Sequence, residues 1–400
     1  MEKIKKKLFV KISNKYGLPI YIYDEDKIVQ QFEKLKKAFA DIENLKINYA
    51  IKALSNISIL KIIKKIGGDV DAVSIEEVKI ALHAGFKPNQ IFFTPSGVDL
   101  SEIESALNYG VQINIDNYRA LKKISDKFQD ISVGIRINPN IYAGGNSKIS
   151  VGHSESKFGI TVEEISKIKN IVKNKKIEIN GIHMHTGSDI DDINMYLKAC
   201  DVLFNAAEKF EKIKFLDFGS GFKVKYSEND FETDIEELGK NLSYKFNKFI
   251  LNKNSKIRFH IEPGKFIVSE AGVFLTKVNY VNPKKNINFL HVNSGLNHFI
   301  RPMFYGSKHS IINITSSIKE KENYSVVGYV CETDTFAENI SLNKTSEGDI
   351  LCFKNAGAYC FSMSSNYNSR LKPAEVLISK GKIKLIRKRE KFDDLLKNQL

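Results

Sequence analysis

The sequence predicts an α/β protein in two parts. A parallel (β/α)8 barrel covers residues 25–275, and a mostly antiparallel β domain over 276–400 also takes in residues 1–24. Two observations carry this. From about 25 to 275, eight short runs rich in β-branched and aromatic residues alternate with longer Lys- and Glu-rich segments of helical spacing. Eight βα units in about 230 residues suit a closed barrel better than the alternative, an open doubly wound sheet. After about residue 276, strand-like runs follow one another with turn signals and little helix between them.

In chain order, the first expected element is a strand at 20–23, placed in the β domain. The barrel strands are expected at 47–51, 70–73, 91–94, 112–115, 132–137, 181–185, 215–218 and 259–261. Helices are expected between them at 74–84, 100–109, 118–128, 162–173, 194–209 and 234–251. Ser74 with Glu77, and Thr161 with Glu164, read as capping boxes that start two of these helices. The Gly-, Asn- and Ser-rich stretch 143–152 reads as a loop, either a flap beside His153 or plain solvated chain. Strands follow at 273–279, 288–292, 325–331, 349–353, 375–379 and 382–386, with a short terminal helix at 391–400.

Composition excludes several classes. The 400 residues are 42% hydrophobic and 27% charged with eight prolines, which is globular rather than disordered or collagenous. No apolar run approaches the roughly 18 residues of a membrane helix. The charged N-terminus is not followed by an apolar stretch of signal-peptide length, so a cytoplasmic location is expected. The net charge of +14 raises the possibility of a nucleic-acid partner. Yet only seven of the 61 basic residues are arginine, Trp is absent, and Lys, Ile and Asn are abundant together. That pattern fits AT-rich codon usage, and Arg is the residue best suited to reading bases. Neither a nucleic-acid nor a membrane partner is expected, and each Arg merits a search for a dedicated task. The four cysteines (200, 331, 352, 360) form no CxxC pair, which argues against a disulfide framework or a zinc ribbon.

In a parallel barrel the chemistry lies at the C-terminal ends of the strands. The first strand runs into Lys52 amid apolar neighbours, where desolvation would favour a nucleophilic amine. The sixth ends in His183-Met-His185-Thr-Gly-Ser188. Period two puts both histidines on one side, as a metal pair, as a core residue, or as a ring stacked on a flat cofactor. The seventh and eighth run into Asp217-Phe-Gly-Ser-Gly221 and Glu262-Pro-Gly-Lys265. Glycine turns there suit a phosphate, and the rest of a dinucleotide fingerprint is missing. A Schiff-base lysine, a stacking histidine, a phosphate cradle and a carboxylate together suit pyridoxal phosphate, with the carboxylate keeping the pyridine nitrogen protonated.

At this point the residues match a family. The markers are Tyr49-Ala-Ile-Lys52-Ala, Asp71-Ala-Val-Ser74, Lys157-Phe-Gly159, the two-histidine and two glycine turns above, Arg301-Pro-Met-Phe-Tyr305, Cys331-Glu332-Thr-Asp334, Gly357-Ala-Tyr359 and Met363-Ser-Ser-Asn-Tyr-Asn-Ser-Arg370. In this order, across residues 20–378, they resemble the fold-type III pyridoxal-phosphate decarboxylases, most closely the diaminopimelate decarboxylases. The resemblance implies decarboxylation of meso-2,6-diaminopimelate to L-lysine and CO2, the last step of lysine biosynthesis. The alternative is a related decarboxylase of ornithine, arginine or carboxynorspermidine.

The resemblance also implies roles. Lys52 would carry pyridoxal phosphate as a Schiff base, and Asp71, His185, Ser188, Gly221, Glu262, Gly264, Lys265 and Tyr359 would hold the cofactor. Lys265, Arg301, Tyr305, Glu332 and Tyr359 would bind substrate, and Cys331 would return a proton to the α-carbon. Cys331 and Glu332 would come from a partner subunit, so a homodimer with shared active sites is implied; no metal is. Cys331 is expected at the end of an apolar strand, while Cys200, Cys352 and Cys360 read as core residues and Arg370 as structural. Three residues depart from the family pattern: Lys265 where Arg is common, Ser220 inside a Gly-Gly-Gly, and Asn293 where Asp is common.

Overall fold

A computed structural model describes residues 2–142, 151–227, 229–253 and 256–400, so most of the expected flap, 143–150, lies outside the described residues. The chain divides into two units. One comprises Val29–Val224 and Phe231–Ile267; the other comprises Met1–Ile28, Lys225–Asp230 and Val268–Leu400.

The first unit is a closed ring of eight parallel strands. They are β1 (Leu45–Ala50), β2 (Asp69–Ala72), β3 (Ile91–Phe93), β4 (Gln112–Ile115), β5 (Ile131–Asn138), β6 (Ile177–Met184), β7 (Phe215–Asp217) and β8 (Arg258–Ile261). Each pairs with its successor, and β8 closes onto β1 through Phe259↔Leu45. The (β/α)8 expectation holds, and all eight expected runs overlap a strand. The closure follows from period-two alternation. One set of positions is apolar and buried, for example Ile47, Tyr49, Val70, Ile113, Ile135 and Phe259. The alternate set is mostly polar and buried as well: Asn48, Asp71, Asn114, Arg136, His183 and Asp217. A barrel accommodates such strands because its helices cover one side while the other is enclosed.

Part of that interior is solid. Phe92, Phe215 and His260 pack ring on ring, with centroids 4.7–5.3 Å apart. Phe215 needs room that only glycine leaves, since a Cβ on Gly181 would sit 2.0 Å from its ring and one on Gly134 would sit 3.0 Å from it. Capping fixes where helices begin. Asn56, Ser74, Asn117 and Asp192 each accept a backbone N–H from the first turn of the helix they precede, each worth about 1 kcal/mol.

The second unit holds a nine-stranded, mostly antiparallel sheet. Strand Ile20–Asp24 sits inside it, antiparallel to Gly272–Pro283 and parallel to Ala374–Ser379. A helix, Glu2–Tyr16, precedes it and was not expected. Its Ile12 is fully buried against Ile20, Leu275 and Val376, so tertiary packing gives this lysine-rich segment its helix. Strands Ile311–Asn313 and Thr335–Asn343 were also unforeseen, and the terminal helix is only Phe392–Leu396.

One expectation is corrected. The run 325–331 is not a strand to its end, because strand Lys321–Val327 stops four residues before Cys331. Buried Asp334 explains the break. Its carboxylate accepts the backbone N–H groups of Leu296 (2.6 Å) and Val330 (3.0 Å), and its carbonyl accepts that of Gly328 (2.7 Å). These bonds replace ladder bonds and turn 328–334 into a loop. Cys331 is therefore exposed on a loop rather than at the end of a buried strand.

Candidate active site

In the barrel unit, Lys52 sits in a short 3-10 turn, Ile51–Ala53, directly after β1. Its Nζ donates to Asp71 Oδ2 across 3.4 Å. Asp71 is buried on β2, and its other oxygen has no hydrogen-bond partner. Burial, then the negative Glu262, push its carboxyl up to about 6, against the pull of Lys52. Nearby Glu77 is also raised, to about 7, mainly by burial, although it accepts the Val73 N–H at 2.9 Å.

Glu262 follows β8. Burial alone would raise it, yet His183, by charge and by hydrogen bond, together with Lys52 and His185, outweighs that and holds the carboxyl down at about 2. His183 Nε2 lies 3.0 Å from Glu262 Oε2, while Glu262 Oε1 is buried without a partner. Asp217, buried on β7, is pushed the opposite way, by burial and by the Glu262 charge. It accepts the Gly219 N–H (2.9 Å) and the Asn48 amide (3.3 Å). Of three neighbouring carboxyls, Glu262 is thus held ionised over the widest pH range, Asp71 ionises only above about 6, and Asp217 is pushed toward its neutral form. Donor atoms of His183, Asp217 and Glu262 lie within 4.8 Å of one another. The two histidines do not act as a pair. His183 binds Glu262, whereas His185 lies past the end of β6, its Nδ1 accepting the Ser220 N–H at 3.4 Å. Burial, then Arg136 and Lys52, hold His185 well below its usual range, so its ring is neutral.

The glycine turns are crowded as a cradle requires. A Cβ on Gly219 would fall 2.5 Å from the Met184 carbonyl oxygen, and one on Gly221 would fall 2.3 Å from that of Gly187. Both have positive φ, +61° and +123°, which glycine adopts freely. Gly264 packs on Ala50 and Ala53, so the turn that follows Glu262 abuts the Lys52 turn. Ser188 lies half-buried between Gly187 and Asp189. Lys265 is buried and donates to Asp189 Oδ1 at 2.6 Å.

The sheet unit holds two further clusters. In one, buried Arg301 donates to His309 Nε2, Tyr226 Oη and Ser307 Oγ at 3.3–3.4 Å. Its guanidinium also lies 5.4 Å from the ring centroids of Tyr226 and Tyr305. In the other, Cys331 Sγ donates to Glu332 Oε2 at 3.4 Å, the Tyr367 hydroxyl donates to Glu332 Oε1, and the Asn368 amide donates to Cys331 Sγ at 3.6 Å. The Tyr367 bond holds Glu332 below its ordinary range. Tyr359 is half-buried with φ +56°, in a loop whose Gly357 lies against the Val268 carbonyl and Gly272. Cys200, Cys352 and Cys360 are buried, and burial raises all three thiols. Asn293 accepts from Thr276 Oγ1 (2.6 Å) and the Lys277 N–H (2.8 Å), a local staple in the sheet.

Sequence reading assigned no site role to Arg136, Asp189, Asp217, Glu77, Tyr226 or Asn368. Arg136, buried on β5 over the Phe158 ring and charge-coupled to Glu262 and Asp71, was within reach, because arginine is so scarce. Asp217 and Asp189 each adjoin a motif that was read.

The barrel fits pyridoxal phosphate on its own evidence. Two buried carboxylate oxygens, on Asp71 and Glu262, lack partners. One is on a residue bonded to a lysine after β1, and the other belongs to Glu262, the carboxyl held lowest of the three. The family model for the pyridoxal-binding domain of pyridoxal-dependent decarboxylases matches residues 25–269. A diaminopimelate decarboxylase of Methanothermobacter thermautotrophicus is 35% identical, over 98% of this chain and 93% of its own. One from Helicobacter pylori is 38% identical, over 95% of each. The crystal structure of the Helicobacter pylori enzyme complexed with L-lysine superimposes with a TM-score of 0.89 at 35% identity, covering 97% of this chain and 98% of that one. The chain therefore belongs to the pyridoxal-dependent decarboxylases, and is an amino-acid carboxy-lyase that uses pyridoxal phosphate.

Proposed function

We propose that the chain converts meso-2,6-diaminopimelate to L-lysine and CO2, the closing step of lysine biosynthesis, as a cytoplasmic homodimer. The observation that carries the reading is Glu262: buried, ionised, one oxygen held by His183 and the other unclaimed. Pyridoxal phosphate supplies an electron-accepting ring for the pair of electrons left when CO2 departs. The residues do the rest. Lys52 provides the amine that anchors the cofactor covalently, with Asp71 as its counter-charge. Glu262 Oε1 is the acceptor for a protonated ring nitrogen. His185, neutral, offers a flat face without a competing charge. Ser188, Gly221 and the Gly264–Lys265 turn hold the phosphate, with Tyr359.

Arg301, with Tyr305 beside it, clamps a substrate carboxylate, a task that uses the two-pronged guanidinium. Glu332 meets the distal ammonium. Cys331 delivers a proton to the α-carbon and regains one from water. In the dimer, Cys331 and Glu332 of the partner subunit serve this site. Supporting that arrangement, both are exposed on their own chain. Relatives over nearly the full length are named diaminopimelate decarboxylases. A substrate with a distal carboxylate and amine also suits the joint presence of Arg301 and Glu332. The test is to supply purified protein and pyridoxal phosphate with meso-diaminopimelate, and in parallel with ornithine, arginine and carboxynorspermidine. Lysine should form from the first alone. Faster decarboxylation of any other would refute the substrate assignment.

A further inference from the structure

The segment that ends at Arg370 has a motif but no role in the reading above. Its backbone is unusual. Asn368 (φ 56°, ψ 28°) and Ser369 (φ 55°) are consecutive non-glycine residues in the left-handed region, a strained arrangement that persists only where the surroundings enforce it. Core packing is not what enforces it, because residues 367–370 are all exposed. The turn is instead braced at both ends. The Asn366 amide bonds the Arg370 carbonyl (3.0 Å) and the Glu390 carboxylate (2.6 Å), and the Arg370 guanidinium lies 4.0 Å above the Tyr329 ring. What the turn achieves is placement. It puts the Tyr367 hydroxyl on Glu332 and the Asn368 amide on the Cys331 sulfur. The thiol is thus held from two sides, donating to Glu332 and accepting from Asn368.

We propose that Asn368 is a positioning residue for Cys331. Its side-chain N–H fixes the sulfur and steadies the negative charge that appears there when the S–H bond breaks. This rests on the reading of Cys331 as proton donor: the proton passes to the α-carbon as a C–H bond, the electron pair of the S–H bond stays on sulfur, and water later restores the proton. An N–H donor aimed at that sulfur stabilises the thiolate more than the thiol.

The experiment compares holoenzyme of wild type, Asn368→Gly, Asn368→Ala and Cys331→Ser. Glycine accepts the left-handed backbone without strain, so Asn368→Gly keeps the turn and removes only the amide. Two readouts are taken: the rate of iodoacetamide alkylation of Cys331 at neutral pH, followed by mass spectrometry, and kcat and KM separately. The other three cysteines are buried, and Cys331→Ser gives the background. Both Asn368 variants should alkylate about ten-fold more slowly, as expected for loss of one hydrogen bond to a charged group. Their kcat should fall in parallel while KM stays within about two-fold. Wild-type alkylation in Asn368→Gly would overturn the inference whatever happens to turnover. Wild-type turnover in Cys331→Ser would overturn the proton-donor reading itself, and the inference with it.

Discussion

The two units prepare their reactive groups by opposite means. In the barrel, ionisation is set by enclosure: Asp71, Asp217 and Glu262 are all buried, and their competition spreads them apart, with Glu262 held down at about 2, Asp71 raised to about 6 and Asp217 raised well above its usual value. In the sheet unit, Cys331 and Glu332 lie on an exposed loop, and direct hydrogen bonds from Tyr367 and Asn368 do the arranging. The lesson is that a buried site can fix charge states within one chain. An exposed pair has its geometry fixed but not its dielectric, which a covering partner would supply.

That contrast can be broken at several points. The largest effect is expected from Lys52→Ala, which should abolish turnover and the near-visible absorbance of covalently held cofactor. An unchanged spectrum would remove Lys52 from the cofactor. Next, Cys331→Ala should lower kcat by about 10²–10⁴, the range for a lost proton-transfer group, yet leave that absorbance in place. Loss of both together would mean the two units are not separable in this way. Arg301→Lys keeps the charge and loses the two-pronged donor. It should raise KM for a dicarboxylate substrate about ten-fold with a smaller change in kcat, measured by steady-state kinetics.

The smallest effect, and the sharpest, concerns pH. The Asp71 carboxyl is raised to about 6, so its contribution to stability is full below its ordinary range and is lost as pH rises through about 6. Asp71→Asn should therefore melt a few degrees above wild type at pH 8 in cofactor-free protein, roughly 2–4 °C per kcal/mol recovered, and show no gain at pH 4. Glu262 has the opposite sign. Held at about 2, it stabilises above its ordinary range, and that is lost as pH falls toward 2. A gain for Asp71→Asn that did not vary with pH would contradict the charge assignment in the barrel.

Much of this was legible in the sequence because local pattern and fold agree in the barrel. Eight β-branched runs gave eight strands, and motifs at strand ends located Lys52, His185 and Glu262 in their turns. Misreadings arose where distant residues decide. The apolar run 325–331 looks like strand throughout, but Asp334 captures the N–H groups of Leu296 and Val330 and bends the chain away. The lysine-rich start was placed in the β domain without a helix, because its helix depends on Ile12 packing against distant strands. Arg136, Asp217 and Asn368 carry little signal individually, because their significance lies in the partner each meets across the fold.

The aromatic plug has one more consequence. With Phe92, Phe215 and the His260 ring filling part of the barrel interior, aromatic rings lie next to the carboxylates: Phe215 stands two residues before Asp217, and His260 two before Glu262, on the same side of their strands. Rings in place of water on that side keep the surroundings of the carboxylates weakly polarisable, which magnifies every charge interaction among them.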